Sequence, residues 1–283
     1  MEVCPEIEAM RRLAAAARVA GRRVGFVPTM GVLHAGHRSL LDAGRRESDL
    51  LVMSCFVNPI QFDQQADFDA YPRDRARDEE LARAAGVDVF FAPTAEQMYP
   101  SGFSTTVLVE RLSERWEGAH RPGHFRGVTT VVLKLFEIVQ PHRAYFGQKD
   151  YQQSVIIRRM VTDLNLGVEV TVLPTVREPD GLALSSRNVL LKPEERRQAP
   201  ALYHALVAAR GLIEGGEGRA VVLEKAMREI LMKDAPLGSP DYVAVCNPDT
   251  LDPVDQVTGS ALLALAVRFP SARLIDNMLV QPT

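Results

Sequence analysis

Residues 22–39 read RRVGFVPTMGVLHAGHRS and combine a strand-like segment, a glycine-containing turn and the start of a helical pattern. Residues 22–29 predict a short buried strand, and a helix is predicted from about Gly36 to Ser48. The free N–H groups and the dipole at the amino end of a helix favour a bound phosphate. Gly31 and Gly36 would let the backbone approach such a ligand closely. This segment therefore predicts a phosphate-binding loop between a strand and a helix.

The chain on both sides of this segment alternates between apolar runs of strand length and amphipathic helices. Further strands of the first part are predicted at residues 50–57, 87–92, 143–146 and 168–176. Helices are predicted between Pro5 and Gly21 and at residues 73–85, 128–139 and 150–163. This alternation is typical of a parallel sheet with helices on both faces, an α/β fold. Ligands of such sheets bind beyond the carboxyl ends of the strands.

The pattern changes after about residue 175. Helices predicted at residues 193–212 and 221–231 precede short strands at residues 242–245 and 262–267. This order of elements predicts a smaller α+β domain. We therefore predict two domains, at residues 1–175 and 176–283.

Composition restricts the class of protein. The chain has 283 residues, of which 46% are hydrophobic and 24% charged, as in globular proteins with a sizeable core. A formal net charge of −3 supplies no broad basic surface, so nucleic acid is not predicted as a partner. Three cysteines without a CxxC pair predict neither a disulfide framework nor a zinc site. The amino terminus lacks a signal-peptide pattern and no apolar run has membrane-spanning length, so a cytoplasmic protein without a membrane partner is expected.

His34 and His37 lie three residues apart at the predicted start of the helix, so a helical turn places them on one face. Their ring N–H groups can donate to phosphate oxygens, which stabilises the charge that develops on a leaving pyrophosphate. Two other interpretations remain: ordinary histidines of a surface turn, or a pair of metal ligands. The glycine spacing favours the phosphate role, and no Cys, Asp or Glu stands nearby at ligand spacing.

Two further segments offer groups that bind anions. Lys149 follows Gly147 at the end of a predicted strand, where its ammonium group could reach a phosphate, and Asp150 could cap the next helix. Residues 184–188, LSSRN, combine hydroxyl groups, backbone N–H groups and a guanidinium, which suit a phosphate clamp. The alternative for Lys149 is a solvated charge, and the alternative for residues 184–188 is ordinary loop composition.

Polar side chains that suit a substrate with hydroxyl and carboxylate groups stand in other segments. Gln61 lies in NPIQF and Gln153 in FGQKDYQQ, and their amides both donate and accept hydrogen bonds. Arg121 and His124 belong to RPGHFRG, which predicts a loop before a helix that can touch anions. Loop polarity is the alternative for Gln61, and a solvated basic loop is the alternative for Arg121 and His124.

Several motifs stand in one order along the chain and together resemble one enzyme family. They are PTMGVLHAGH at 28–37, FVNPIQF at 56–62, RPGHFRGV at 121–128, KLFEIVQP at 134–141, FGQKDYQQ at 146–153 and LALSSRN at 182–188. The His-x-Gly-His signature alone resembles the HIGH-motif nucleotidyltransferase superfamily. The full set resembles the pantothenate synthetase family, the pantoate–β-alanine ligases. The resemblance covers almost the whole chain and is strongest before Leu191.

This resemblance implies a Rossmann-like parallel-sheet domain at residues 1–175 that binds ATP and pantoate, with a smaller α+β C-terminal domain. It implies that ATP and pantoate form pantoyl adenylate and pyrophosphate, and that the amine of β-alanine then displaces AMP to give pantothenate. Positioning and charge stabilisation would supply much of the catalysis, because AMP is already a good leaving group. The resemblance also implies a homodimer and Mg²⁺ on the phosphates.

The resemblance further implies roles for residues at matching positions. The implied catalytic residues are His37, as the proton donor, His34, Lys149 and Arg187. The implied ATP-binding residues are Met30, Gly31, Val32, Leu33, His34, Ala35, Gly36, His37, Gly147, Gln148, Lys149, Asp150, Val176, Leu184, Ser185, Ser186 and Arg187. The implied residues for pantoate and β-alanine are Gln61, Gln153, Asn58, Arg121 and His124.

One position departs from the family pattern and leaves the metal ligands open. Family members often carry neighbouring acids in the helix after the YPR sequence, but here Arg77 precedes Asp78. Asp78 remains the candidate metal ligand, alone or through water. Its alternative is the solvated face of an amphipathic helix.

Two rival functions stay open at the level of sequence. A nucleotidyltransferase of the same fold would transfer AMP to a phosphate acceptor, which requires more basic groups around the acceptor than Gln61 and Gln153 supply. A non-catalytic nucleotide-binding module would bind ATP without turnover.

Overall fold

The first part of the chain folds around a six-stranded parallel sheet in this computed structural model, which describes residues 1–282 apart from the side chain of Ala66. Its strands are β1 Glu2–Cys4, β2 Val24–Thr29, β3 Leu50–Cys55, β4 Val89–Phe91, β5 Arg143–Gly147 and β6 Glu169–Leu173. All neighbouring strands pair in parallel. The predicted α/β class is confirmed, and the three-residue β1 is too short for its pattern to be recognised in the sequence.

Helices connect these strands, and the five longest lie close to the predicted positions, whereas the three short ones are not predicted by the sequence. The helices are α1 Ile7–Val19, α2 Ala35–Glu47, α3 Gln65–Asp69, α4 Arg75–Ala84, α5 Ala95–Met98, α6 Glu117–His120, α7 His124–Val139 and α8 Tyr151–Asp163. The start of α7 differs most, because it lies at His124 rather than at residue 128. Gly123 adopts a left-handed conformation with φ of 83°, which ends the preceding turn and lets the helix begin there.

The strand order β1-β4-β3-β2-β5-β6 reverses direction between β2 and β5. From β2 the chain adds β3 and β4 on one side, and later β5 and β6 on the other. Such a reversal opens a crevice at the carboxyl ends of the two central strands, where ligands of these sheets bind. Met30 follows β2 and Gly147 ends β5, so both lie at this edge.

Two apolar layers cover the faces of the sheet. Side chains alternate along each strand, so Phe26 and Val52 belong to one layer whereas Val27 and Met53 belong to the other. Helices α1, α7 and α8 pack on the first layer, and α2 and α4 pack on the second. Burial of these four side chains contributes roughly 1.5–3 kcal/mol each. The core thereby fixes the strand ends from which the functional segments leave.

The second part of the chain forms an antiparallel sheet with helices packed on it. Its strands are β7 Ser239–Cys246, β8 Ala261–Arg268 and β9 Arg273–Val280, in the order β7-β8-β9. Its helices are α9 Pro193–Gln198, α10 Ala201–Glu214 and α11 Ala220–Asp234. The predicted smaller α+β part is confirmed, but the sequence analysis does not predict β9. The helix predicted over residues 193–212 is two helices, because Pro200 cannot continue the hydrogen bonding of a helix interior.

The described chain separates into two compact units. The first comprises Met1–Gly147 and Gln152–Pro174, and the second comprises Gln148–Tyr151 with the described residues from Thr175 onward. The turn at Gln148–Tyr151 therefore packs with the second unit, although it lies inside the predicted first domain. The domain boundary at residue 175 stays a prediction. No helix among the described residues is long and apolar enough to cross a membrane.

Candidate active site

Thr29, at the end of β2, makes one hydrogen bond to the neighbouring strand β3 and one within the turn that follows. The Thr29 hydroxyl donates to the carbonyl of Ser54 at 2.8 Å and accepts from the N–H of Gly31 at 3.2 Å. Gly31 and Val32 both have positive φ, of 85° and 54°. Glycine adopts this conformation without strain, whereas a branched residue such as Val32 does so at a cost of roughly 1–3 kcal/mol. The turn therefore requires further contacts to hold it.

Asp78, from α4, supplies those contacts. Its Oδ2 accepts the N–H of Val32 at 2.9 Å, and its Oδ1 accepts the N–H of Leu33 at 2.7 Å. The residue is only 1% exposed, so the solvated helix face is wrong as its location. A Cβ on Gly31 would lie 2.7 Å from Oδ2, which shows that glycine leaves room for the carboxylate. Hydrogen bonds to a charged acceptor contribute about 1.5–3 kcal/mol each, so Asp78 stabilises the strained turn.

Cys55 lies beside this carboxylate, with its Sγ donating to Oδ2 of Asp78 at 3.9 Å. Burial and the neighbouring negative charge of Asp78 raise the pKa of the thiol to about 12. The sulfur therefore stays protonated at neutral pH and supplies no thiolate nucleophile.

His34 and His37 mark the amino end of α2, and each turns one ring nitrogen to the backbone. His34 is the N-cap residue, and its Nδ1 accepts the N–H of Gly36 at 3.1 Å. Nδ1 of His37 accepts the N–H of His34 at 3.3 Å. The ring centroids are 4.1 Å apart. The predicted pairing of the two imidazoles on one face is thus present, and the pair also caps the helix.

These hydrogen bonds determine which ring nitrogen carries the proton. A nitrogen that accepts a backbone N–H has its lone pair engaged, so the proton of the neutral ring lies on Nε2. The neutral rings of His34 and His37 therefore both carry their proton on Nε2, and both lie at a helix amino end, where the dipole favours anions. The first turn of α2 carries no acidic residue that would repel an anion. The geometry suits phosphate oxygens as acceptors.

Direct coordination of Mg²⁺ by Asp78 does not fit this geometry. Both of its oxygens accept backbone N–H groups, and the carboxylate is buried. Within residues 1–282, no group of three or more His, Cys, Asp or Glu side chains is placed to hold a metal ion. The structure assigns Asp78 to the turn, and its role as a metal ligand stays a sequence prediction.

A hydrogen-bond network converges on Gln61, at the end of the 3₁₀ turn Pro59–Gln61. The Tyr99 hydroxyl donates to Oδ1 of Asn58 at 2.7 Å, and Nδ2 of Asn58 donates to Oε1 of Gln61 at 3.0 Å. Burial raises the pKa of Tyr99, which keeps its hydroxyl a donor. Nε2 of Gln61 lies 3.0 Å from Sδ of Met30. Asn58 therefore orients the Gln61 amide beside the turn that leads to His34.

His124, the first residue of α7, contacts the same glutamine, and Arg121 contacts His124. Nη1 of Arg121 donates to Nε2 of His124 at 3.2 Å, so Nδ1–H of His124 donates to the Gln61 carbonyl at 2.9 Å. His124 is buried inside a helix, so a solvated loop is wrong for this residue. A Cβ on Gly127 would lie 2.4 Å from the carbonyl oxygen of Ile60, which shows how closely α7 packs on the turn.

Gln153 lies half-buried in the first turn of α8, next to the buried Gln152. Oε1 of Gln152 accepts the N–H of Glu117 at 3.1 Å, and its Nε2 donates to the carbonyls of Leu112 and Arg115 at 2.8 Å each. Gln152 thus anchors the segment before α7. Gln153 is the more exposed glutamine of this pair.

The second unit carries the remaining predicted phosphate ligands. Lys149 lies in the 3₁₀ turn Gln148–Asp150, and its Nζ is 3.5 Å from Oδ1 of Asp150. Lys149, Ser185 and Arg187 line one cleft of this unit. The structure therefore brings Lys149 together with Ser185 and Arg187 of a distant segment, and this set of two cations and a hydroxyl suits phosphate groups.

A short hairpin positions the segment 184–187. Arg177 and Ala183 form an isolated antiparallel bridge, and the N–H of Leu184 donates to the carbonyl of Val176 at 3.0 Å. Oγ of Ser185 accepts the N–H of Arg187 at 3.2 Å. The hairpin thus places the predicted ATP contact Val176 beside the start of the serine–arginine segment.

Arg177, Asp276 and Asn277 support the Lys149 turn and the hairpin, and the sequence analysis does not predict them. Oδ2 and Oδ1 of Asp276 accept from Nη1 and Nη2 of Arg177 at 2.6 and 2.9 Å. Burial raises the pKa of Asp276, and its hydrogen bonds to Arg177 oppose that shift. Nδ2 of Asn277 donates to carbonyls of the Lys149 turn. The sequence signal that could have identified Asp276 and Asn277 is that these two adjacent polar residues interrupt the apolar pattern of RLIDNMLV.

Comparison with known proteins places the chain in a family. The family model described as pantoate-beta-alanine ligase matches residues 2–279. The pantothenate synthetase of Moorella thermoacetica is 55% identical over 281 residues, which cover 99% of both chains. The pantothenate synthetase of Chloroflexus aggregans is 54% identical, over 99% of this chain and 100% of its own.

Two solved structures share the architecture. Pantothenate synthetase from Thermus thermophilus gives a TM-score of 0.93 at 50% identity, covering 98% of this chain and 99% of that chain. Pantoate-beta-alanine ligase from Francisella tularensis, complexed with beta-gamma ATP and beta-alanine, gives a TM-score of 0.83 at 32% identity, covering 99% and 97%. The motifs, the fold and the sequence similarity thus agree over nearly the full length. The chain belongs to the pantoate–β-alanine ligase family.

Proposed function

We propose that this chain activates pantoate as pantoyl adenylate, with His34 and His37 stabilising the phosphate charge of that step. As a family member, the chain catalyses the ATP-dependent condensation of pantoate with β-alanine. The observation that carries the catalytic proposal is that Nδ1 of both His34 and His37 accepts a backbone N–H group at the amino end of α2, which assigns the ring proton to Nε2. Preorganised donors of this kind are most effective where charge develops during the reaction.

In the first step, a carboxylate oxygen of pantoate attacks the α-phosphorus of ATP, and pyrophosphate leaves with the bridging oxygen. His37, assisted by His34, donates from Nε2 to the charge on the leaving group, for about 3–4 kcal/mol of transition-state stabilisation. Lys149 and Arg187 neutralise the phosphates. The remaining proposed ATP contacts are Met30, Gly31, Val32, Leu33, Ala35, Gly36, Gly147, Gln148, Asp150, Val176, Leu184, Ser185 and Ser186.

In the second step, the amine of β-alanine attacks the acyl carbon, loses a proton, and the bond from that carbon to the AMP oxygen breaks. Gln61 and Gln153 hold pantoate, and Gln61 also lies near β-alanine. Asn58 and His124 keep the Gln61 amide and backbone in place, and Arg121 acts through His124. The amide groups of Gln61 and Gln153 suit a hydroxylated carboxylate better than a phosphate acceptor, which disfavours the rival adenylyltransferase.

The domain roles, the metal, the dimer and the compartment belong to the same proposal. Residues 1–175 form the ATP- and pantoate-binding domain, and residues 176–283 form the smaller domain. Mg²⁺ would bind with the triphosphate and neutralise part of its charge, and it would need few protein ligands, which suits a site where Asp78 is already engaged by backbone N–H groups. The chain acts as a cytoplasmic homodimer, for which sedimentation at micromolar concentration is the test.

Incubation of the purified chain with MgATP, pantoate and β-alanine tests the proposed function. Pantothenate and AMP should form in equal amounts, and sustained AMP release should require β-alanine. AMP joined to a phosphate acceptor would support the rival transferase. A folded chain that binds ATP and never releases AMP would be a nucleotide-binding module instead.

A further inference from the structure

Two adjacent polar residues are buried in the middle of β9, a strand of mostly apolar side chains. Asp276 is 3% exposed and Asn277 is 4% exposed. Burial of a carboxylate or an amide is unfavourable unless new hydrogen bonds replace those to water. The partners of this pair therefore show what it stabilises.

Asn277 holds the turn that carries Lys149. Its Nδ2 donates to the carbonyl oxygens of Gln148 at 3.0 Å and of Lys149 at 2.8 Å. Both hydrogens of the amide are used in this way. The backbone that presents Lys149 is thus attached to β9 at two successive carbonyl groups.

Asp276 holds the hairpin that leads to residues 184–187. Its carboxylate accepts both terminal nitrogens of Arg177, whose Nη1 also donates to the carbonyl of Gly181 at 3.1 Å. The guanidinium lies 4.4 Å from the centre of the Tyr203 ring, a stacked position that limits its rotation. Arg177 therefore cannot shift without losing a bidentate ion pair and a ring contact.

The two contacts are coupled through the strand itself. The N–H of Asn277 donates to Oδ1 of Asp276 at 2.8 Å, so the two polar groups share one rigid piece of backbone. Lys149, Arg187 and Asp276 line the same cleft. One strand thus supports both segments that present a cation to this cleft.

We infer that Asp276 and Asn277 are positioning residues for ATP, which fix Lys149 and the segment 184–187 in one arrangement. The pair acts through these segments and is not assigned any contact with substrate. This inference rests on the proposed function, because it requires that Lys149 and Arg187 bind the phosphates of ATP. A displacement of binding groups by about 1 Å is enough to weaken a phosphate site substantially.

Replacing Asn277 by leucine tests the inference, since leucine has a similar volume and donates no hydrogen bond. The Kd for MgATP by calorimetry and the KM for ATP should both rise by about 10- to 100-fold. The KM values for pantoate and β-alanine should stay within about twofold, which a general loss of structure would not produce. Asn277→Ser, which retains one donor, should give a smaller rise and serves if the leucine variant fails to fold.

Val280→Ala is the matched control, because Val280 is buried in the same strand and packs in the apolar core. It should lower the melting temperature without changing the KM for ATP. A wild-type Kd for MgATP in the folded Asn277 variants, or an equal rise in Val280→Ala, would overturn the inference. Absence of β-alanine-dependent AMP release by the wild-type protein would contradict the proposed function. The Kd for MgATP measured by calorimetry would still test the positioning role independently of that result.

Discussion

Replacing His37 by alanine should lower kcat by roughly 10²- to 10³-fold, because the change removes a preorganised N–H donor from the leaving pyrophosphate. The KM for ATP should change less than kcat, since the charge that the donor stabilises develops in the transition state. Steady-state AMP release at saturating ATP, pantoate and β-alanine measures the effect. Wild-type turnover in the alanine variant would rule out this role for the imidazole.

A second substitution at this position separates catalysis from helix capping. Glutamine at the third helical position is the usual capping-box residue and can accept the N–H of His34, as Nδ1 of His37 does. His37→Gln should therefore keep the wild-type melting temperature, and because its amide N–H can still donate to the phosphate, kcat should fall less than in His37→Ala. His204→Ala, at an exposed position of α10, is the control for the loss of a histidine elsewhere.

Replacing Asp78 by alanine should lower the free energy of unfolding by about 2–4 kcal/mol and raise the KM for ATP. The change leaves the N–H groups of Val32 and Leu33 without their acceptor, and Val32 itself has the unfavourable φ of 54°. Because the turn then loses its fixed shape, ATP binding should weaken more than kcat falls. Urea denaturation and steady-state kinetics measure the two effects.

Glu80→Ala is the matched control for Asp78, because it removes an exposed carboxylate from the same helix. Stability and KM for ATP at wild-type values in Asp78→Ala would contradict the role of this carboxylate in the turn. Assays of Asp78→Ala at excess Mg²⁺ distinguish a role of Asp78 in the turn from a role as a metal ligand. Recovery of activity at high Mg²⁺ would indicate that a metal ligand was lost. A rise in the KM for ATP that persists at high Mg²⁺ would indicate that the turn has lost its fixed conformation.

The parallel sheet and the turn after β2 could be predicted because their signals are local. Apolar runs of strand length end at glycine-containing turns, and helical periodicity resumes directly after Gly36. The positions of His34 and His37 follow from the same segment. The capping role of their Nδ1 atoms does not, because it depends on the backbone geometry of the first helical turn.

The residues that hold the site together could not be placed from the sequence, because their partners are distant along the chain. Asp78 lies 46 residues from Val32, Asp276 lies 99 from Arg177, and Asn277 lies 128 from Lys149. A buried carboxylate and a solvated one look alike in a helical pattern. The polar pair in β9 also interrupts the apolar pattern by which that strand would be recognised.

Pantoate labelled with ¹⁸O in its carboxylate tests the central claim most directly, namely that a carboxylate oxygen attacks the α-phosphorus of ATP. Mass spectrometry of the products after turnover with β-alanine locates the label. The account predicts one labelled oxygen in AMP and the other in the amide carbonyl of pantothenate. Unlabelled AMP, or label found in inorganic phosphate together with ADP, would contradict it.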